Sequence, residues 1–350
     1  MGYTLPEKLQ KLDPYAPVTG SYRIRADANE SYLSAPDWLR EELAEAVKGI
    51  DFNRYPDPYC ARLCAAFAGY FGVPAGQVVA GNGSDELIGL IMSWFTSPGD
   101  TAVTVSPDFS MYAFYAQSCG VRLRVLEKEG LALSADALLA TAREGDARLV
   151  IFSNPCNPTS LEASREEVLR VVEGLPGTLV VVDEAYMDFG EGSILGLAGH
   201  YDNLIVLKTC SKAFGMAAIR LGFAVACPTL AAALMAAKSP YNVNAMTQEA
   251  GRVLFSHPDY LRDCTERIKR GRDDLYRRLS ALAERRAAVS EVQNTHTNFV
   301  YLRLADAPGA FRALADRGIA VRLMGDRLRI SAGSAAENAE LLAALEEIIQ

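Results

Sequence analysis

No stretch of the sequence is apolar over the length of a membrane span, which removes a helical transmembrane reading. Positive charge is in short supply: 35 lysines and arginines against 43 aspartates and glutamates leave a net charge of -8. A nucleic-acid surface needs a concentrated basic patch. The densest basic run, ERIKRGRDDLYRRL from Glu266, is interleaved with acids and reads as a solvated helix face. Histidine occurs three times, at 200, 257 and 296, and forms no evident triad with a serine. The seven cysteines (Cys60, Cys64, Cys119, Cys156, Cys210, Cys227, Cys264) are odd in number and scattered, and the chain opens without an apolar signal segment. That pattern fits reduced thiols in a cytoplasm. Cys60 and Cys64 lack a second ligand pair nearby, so they read as core side chains and no metal site is expected. No segment is low in complexity or repeats at a fixed period.

What is present is ordinary in amount and orderly in arrangement. The 350 residues are 50% hydrophobic and 22% charged, enough for a core that needs no disulfide or metal. Strand-like runs alternate with helix-like ones: VVAGNG then SDELIGLIMSWF, TAVTVS then MYAFYAQSCG, RLVIFSN then SREEVLRVVEGL, followed by LVVVDEA, NLIVLK and RLGFAVA. Several strands are continuously apolar, which predicts a mostly parallel α/β sheet with helices on both faces. After Pro240 the pattern turns to charge-laced helices and then NFVYLRL, IAVRLM and RLRISAG, a smaller α+β unit. The expected division is a large domain over 31–240 and a small one made of 1–30 with 241–350.

In an open α/β sheet, ligands bind beyond the carboxyl ends of the strands. GNGSDEL follows the first strand, with Ser84 placed to cap a helix and Asp85 and Glu86 in its first turn. It reads as a well-capped helix or as an anion site built on backbone N–H groups, and it lacks the GxGxxG of a nicotinamide site. SNPCNPTS reads as a turn or as a carrier of amide side chains. Asp183, directly after LVVV, requires a cation or water. Within TCSKAFGMAAIR, Lys212 is either a solvated charge or a desolvated amine, and Arg220 precedes the next strand.

Pyridoxal 5'-phosphate calls for this combination. Its aldehyde condenses with a lysine amine, its ring nitrogen must hold a proton, and its phosphate must be anchored. An aspartate about 4 Å from that nitrogen, at an effective dielectric of about 20, contributes roughly 4 kcal/mol, or about three pKa units. Lys212 is therefore expected to carry the cofactor.

The ordered set GNGSDE, SPDFSMY, SNPCNPT, DEAY, TCSKAFG, IRLGF and RLRIS resembles the fold-type I aminotransferases of the aspartate aminotransferase superfamily. With RADANES and RYPDP added, it is most similar to the histidinol-phosphate aminotransferase family, from about Tyr15 to Gly333. The resemblance implies transamination of L-histidinol phosphate with 2-oxoglutarate, giving imidazole acetol phosphate and L-glutamate. Threonine-phosphate decarboxylation and aromatic amino-acid transamination are the alternatives. A cofactor-sensing regulator would need a DNA-binding extension outside the two domains.

The resemblance also assigns roles. It makes Lys212 the cofactor lysine and the general acid and base, and pairs Asp183 with the ring nitrogen. Asn157 and Tyr186 would hold the ring oxygen, and Tyr112 would stack on the ring. Ser84, Asp85, Ser211 and Arg220 would bind the phosphate, with Tyr55 reaching it from the other subunit of a homodimer. Tyr15, Asn29, Arg322 and Arg329 would surround the substrate. Strand alternation in RLRIS puts Arg327 and Arg329 on one face, and only the resemblance prefers Arg329. Two positions depart from the family pattern, Ser160 in place of glycine and Asp108 in place of a small or hydroxylated residue.

Overall fold

A computed structural model of the chain describes residues 2–10 and 18–349. Its strands are β1 (Ile24–Arg25), β2 (Val78–Gly81), β3 (Thr101–Ser106), β4 (Arg122–Glu127), β5 (Leu149–Ser153), β6 (Leu179–Asp183), β7 (Leu204–Thr209), β8 (Gly222–Ala226), β9 (Val289–Val292), β10 (Phe299–Leu304), β11 (Ile319–Ala320), β12 (Arg322–Met324) and β13 (Arg327–Ser331).

Seven of them form one sheet in the order β2-β8-β7-β6-β5-β3-β4. Neighbours are parallel except β8, which runs antiparallel to both β2 and β7. The apolar runs read from the sequence are buried on both faces. Val150, Phe152, Val180, Val182 and Val206 point into one core, while Leu149, Ile151, Val181, Ile205 and Leu207 point into the other. That alternation is the period of two expected of a strand. β4, at the sheet edge, has Arg122, Arg124 and Glu127 exposed, which blunts an otherwise unpaired edge.

A second, antiparallel sheet has the order β12-β13-β10-β9, and β1 pairs in parallel with β11. Its core joins Val300, Leu302, Leu328 and Ile330 to Leu341 and Leu345 of the terminal helix Ala335–Ile348. The helix Pro258–Arg285, about 42 Å long at 1.5 Å per residue, connects the two cores. Leu261 and Ile268 pack with the large sheet, and Leu275, Leu279 and Leu282 with the small one. The large core continues past residue 240 through Val253, Leu254 and Phe255.

Candidate active site

The register of the large sheet gathers the strand-end residues. Gly81 of β2 lies opposite Gly222 of β8, which lies opposite Thr209 of β7. Because β8 is reversed, its start, with Arg220 just before it, is delivered to the edge where β2 and β7 end. Ser153 of β5 pairs with Asp183 of β6 on the same edge.

At one end of this row a helix start is held against a guanidinium. Helix Ser84–Trp94 begins after Gly83, whose φ of 84° is open chiefly to glycine, and no side chain caps its first N–H groups. A Cβ at Gly222 would lie 2.5 Å from Ser84 N, and one at Gly83 would lie 2.8 Å from an Arg220 nitrogen, so backbone and guanidinium converge where only glycine leaves room. Arg220 reaches Ser211 Oγ at 3.4 Å, and Thr209 Oγ1 lies 3.1 Å from the same oxygen. Ser84 was expected to cap this helix. Instead Glu86 reaches back to accept from Asn82 N at 2.6 Å, which leaves the N–H groups of the first turn without a side-chain partner.

At the other end lies Asp183, 3% exposed. It accepts from the Tyr112 hydroxyl at 3.0 Å and from Ala185 N at 3.1 Å. Burial pushes its carboxyl up to about 7, opposed by the Tyr112 hydrogen bond. Its two hydrogen-bond donors are neutral, so a protonated ring nitrogen would supply the countercharge that holds it ionised.

Lys212 follows just past the end of β7. Its Nζ donates to the Ala28 carbonyl at 3.2 Å and lies 5.7 Å from the centre of the Tyr186 ring. Asp85 ties the parts together: burial raises its carboxyl, and the charges of Arg220 and Lys212 oppose the rise. Tyr186 accepts from Asn29 Nδ2 at 2.8 Å, and Asn29 takes a left-handed φ of 55° that asparagine tolerates. Arg329 donates to Asn157 Oδ1 at 2.6 Å and to the Asp27 carbonyl at 2.7 Å. With Oδ1 engaged, the amide nitrogen of Asn157 is the donor left for a ligand.

The sequence matches the family described as aminotransferase class I and II over residues 24–345. The chain belongs to this aminotransferase family. A histidinol-phosphate aminotransferase of Clostridium kluyveri is 35% identical, covering 98% of this chain and 98% of that one. One from Thermococcus gammatolerans is 37% identical, covering 98% and 97%. Among solved structures, histidinol-phosphate aminotransferase from Sinorhizobium meliloti in complex with pyridoxal-5'-phosphate superposes with a TM-score of 0.89 at 25% identity, covering 100% of this chain and 98% of that one. The fold is that of the fold-type I aminotransferases, and the cofactor is pyridoxal 5'-phosphate, whose charges the two ends of the site match.

Within this aminotransferase the structure brings most of the expected residues together and leaves others apart. Ser84, Asp85, Asn157, Asp183, Tyr186, Ser211, Lys212, Arg220, Asn29 and Arg329 gather around the row just described. Tyr112 joins them in a different role, because its ring is 0% exposed and has no face to offer. Its hydroxyl holds Asp183 instead, which corrects the stacking expectation. Arg322 stands opposite Arg329 in the β12–β13 register, so the two share a sheet face. Tyr55 is 80% exposed and stacks on Tyr241 at 4.5 Å. Tyr15 lies outside the described residues.

The structure also separates the two arginines of RLRIS. Arg327 is engaged by Glu291 and lies 5.1 Å from the centre of the Tyr301 ring, leaving Arg329 as the one directed at Asn157. Ser160 keeps a glycine-like φ of 61°, and its Oγ donates to the Asn294 carbonyl at 3.0 Å. Phe109 was not singled out from the sequence. It follows β3, is half-buried, and meets Tyr112 edge-on at 5.6 Å. Its position between a strand end and a helix start was the signal that could have marked it.

Proposed function

We propose that this aminotransferase transfers the amino group of L-histidinol phosphate to 2-oxoglutarate, giving imidazole acetol phosphate and L-glutamate. The observation that carries the reading is Arg329, which donates to Asn157 and to the Asp27 carbonyl next to the Ala28 carbonyl that takes the Lys212 amine, a guanidinium of the kind that suits a carboxylate or phosphate. The relatives named above support the same substrate.

Bound pyridoxal phosphate supplies the aldehyde for amine exchange and the ring that accepts the electron pair. The chain does the rest. The Ser84 amide, Ser211 and Arg220 would hold the phosphate, with Asp85 beside them. Asp183, steadied by Tyr112, would favour a proton on the ring nitrogen. Phe109, Asn157 and Tyr186 would orient the ring. The Lys212 amine would serve as general base and then acid toward the substrate proton. Asn29, Arg322 and Arg329 hold the substrate.

The working form is a homodimer in which Tyr55 reaches the cofactor phosphate of the partner, a role supported by its exposure beside Tyr241. The cytoplasm is its proposed place, supported by cysteines that are all unpaired. No helix among the described residues is long and apolar enough to cross a membrane. The two-domain division is proposed in modified form, with helix Ala245–Phe255 and the first half of Pro258–Arg285 counted with the large core.

The test follows the cofactor absorbance as glutamate, histidinol phosphate or threonine phosphate is added. Glutamate and histidinol phosphate should each convert the lysine-bound cofactor to its amine form. Reaction with threonine phosphate alone, releasing carbon dioxide, would overturn the reading.

A further inference from the structure

Asp108, one of the two departures from the family pattern, sits at a junction of three pieces of chain. Its Oδ1 accepts from its neighbour Phe109 N at 2.7 Å, its Oδ2 from Ser153 N at 3.1 Å, and Oδ1 again from the Ser153 hydroxyl. The Ser153 oxygen in turn accepts from Asn157 N at 3.2 Å. One carboxylate thus joins the end of β3 to the end of β5 and to the turn carrying Asn157. Lys128, just past β4, donates to the Pro107 carbonyl at 2.9 Å and to Cys156 Sγ at 3.2 Å, and its charge opposes the burial that raises the Asp108 carboxyl.

The chemistry of the group matters here. In its ionised form, which the Lys128 charge favours against burial, this carboxylate only accepts, so the Ser153 proton points at it and the Ser153 lone pairs stay available for Asn157 N–H. A hydroxyl at 108 could donate or accept and would leave that direction undecided.

We propose that Asp108 is a positioning residue for the cofactor: opposite Lys128, it locks the Ser153 hydroxyl and so sets Phe109 and Asn157 against the pyridoxal phosphate ring. The inference rests on the reading that this cofactor occupies the site. Around the carboxylate the other titratable groups are Lys128, Cys156, Tyr112 and Asp183.

The experiment compares the wild type with Asp108→Asn and Lys128→Met. Three readouts are taken: melting of the cofactor-free protein, the dissociation constant of pyridoxal phosphate by fluorescence quenching, and the pH at which the absorbance of the lysine-bound cofactor changes. Asp108→Asn turns an amide donor toward Ser153 and should weaken the cofactor about tenfold, the scale of one charge-assisted hydrogen bond. Removing the negative charge should move the absorbance transition to lower pH by roughly half a unit, and removing the positive charge of Lys128 should move it to higher pH. Opposite shifts are what general loosening would not produce.

Equal affinity and an unmoved transition in Asp108→Asn, or shifts of the same sign in the two variants, would overturn the proposal. Should Asp108→Asn fail to fold, Lys128→Met decides: an upward shift supports the role and no shift removes it. A wild type that takes up no pyridoxal phosphate sinks the cofactor reading itself. A wild type that takes it up beside variants indistinguishable from it sinks only the role of Asp108.

Discussion

The Tyr112 hydroxyl meets Asp183 Oδ2 at 3.0 Å, with both side chains closed off from solvent. Burial raises the Asp183 carboxyl to about 7 and the phenol holds it from rising further. In the cofactor-free protein the folded chain therefore binds this proton at a pH where the unfolded chain has released it. The contribution to stability grows as pH falls from about 8 toward 5. Asp85, Asp108 and Glu184 are raised in the same direction by burial. Asp183→Asn removes one part of that dependence. Melting of the cofactor-free wild type and variant at pH 5 and pH 8 should show a smaller pH difference in the variant, and an equal difference would contradict the assignment.

With cofactor bound, the same substitution removes the countercharge of the ring nitrogen. An interaction of roughly 4 kcal/mol corresponds to a loss of turnover on the order of 10³-fold. Tyr112→Phe, which only releases the carboxylate from one hydrogen bond, should lose about tenfold. Steady-state rates rank the two, and a larger loss for Tyr112→Phe would point to a direct role for the phenol.

Lys212→Ala leaves the cradle of Ser84, Ser211 and Arg220 intact. The variant should bind pyridoxal phosphate noncovalently and reversibly while turnover disappears. Dialysis followed by absorbance measures the first, and a coupled assay the second. Retained turnover would remove Lys212 from the reaction.

Arg329→Lys replaces a two-pronged donor with a point charge. The KM for glutamate should rise about tenfold or more, the scale of one charged hydrogen bond. Arg327→Lys, altering an arginine engaged by Glu291, should change that KM little. Equal effects from both would mean that neither arginine is the acid-binding one.

Ser160 combines a left-handed φ of 61° with a hydroxyl bonded to the Asn294 carbonyl at 3.0 Å. Ser160→Gly relieves about 1 kcal/mol of strain and loses about 1 kcal/mol of hydrogen bonding, so its melting temperature should stay close to the wild type. Ser160→Ala keeps the strain and loses the bond, and should be less stable by about 1 kcal/mol. If Ser160→Ala melts with the wild type, the hydroxyl contributes nothing.

Much of this protein is legible from the order of its residues. Continuous apolar runs such as LVVV and LIVL become strands buried on both faces, because burial of a strand is a property of its own side chains and their period. The chemistry at the strand ends, Asp183, Lys212 and Arg220, is equally local, since a charged residue after an apolar run must either find a partner, as buried Lys208 does in Asp188, or lie where the strand ends. What only the tertiary structure decided is which of these side chains meet. Tyr112 reads from sequence as a ring to stack, yet its burial beside Asp183 depends on helix Met111–Cys119 sharing a core with Val181 of β6, a strand far away in sequence. Arg327 and Arg329 are equivalent by alternation and are told apart by Glu291 on one side and Asn157 on the other. The junction at Asp108 exists because β3 and β5 are neighbours in space although not in sequence. Local sequence fixes what each strand end carries; the order in which the strands assemble, set by cooperative burial across the whole sheet, fixes what faces what.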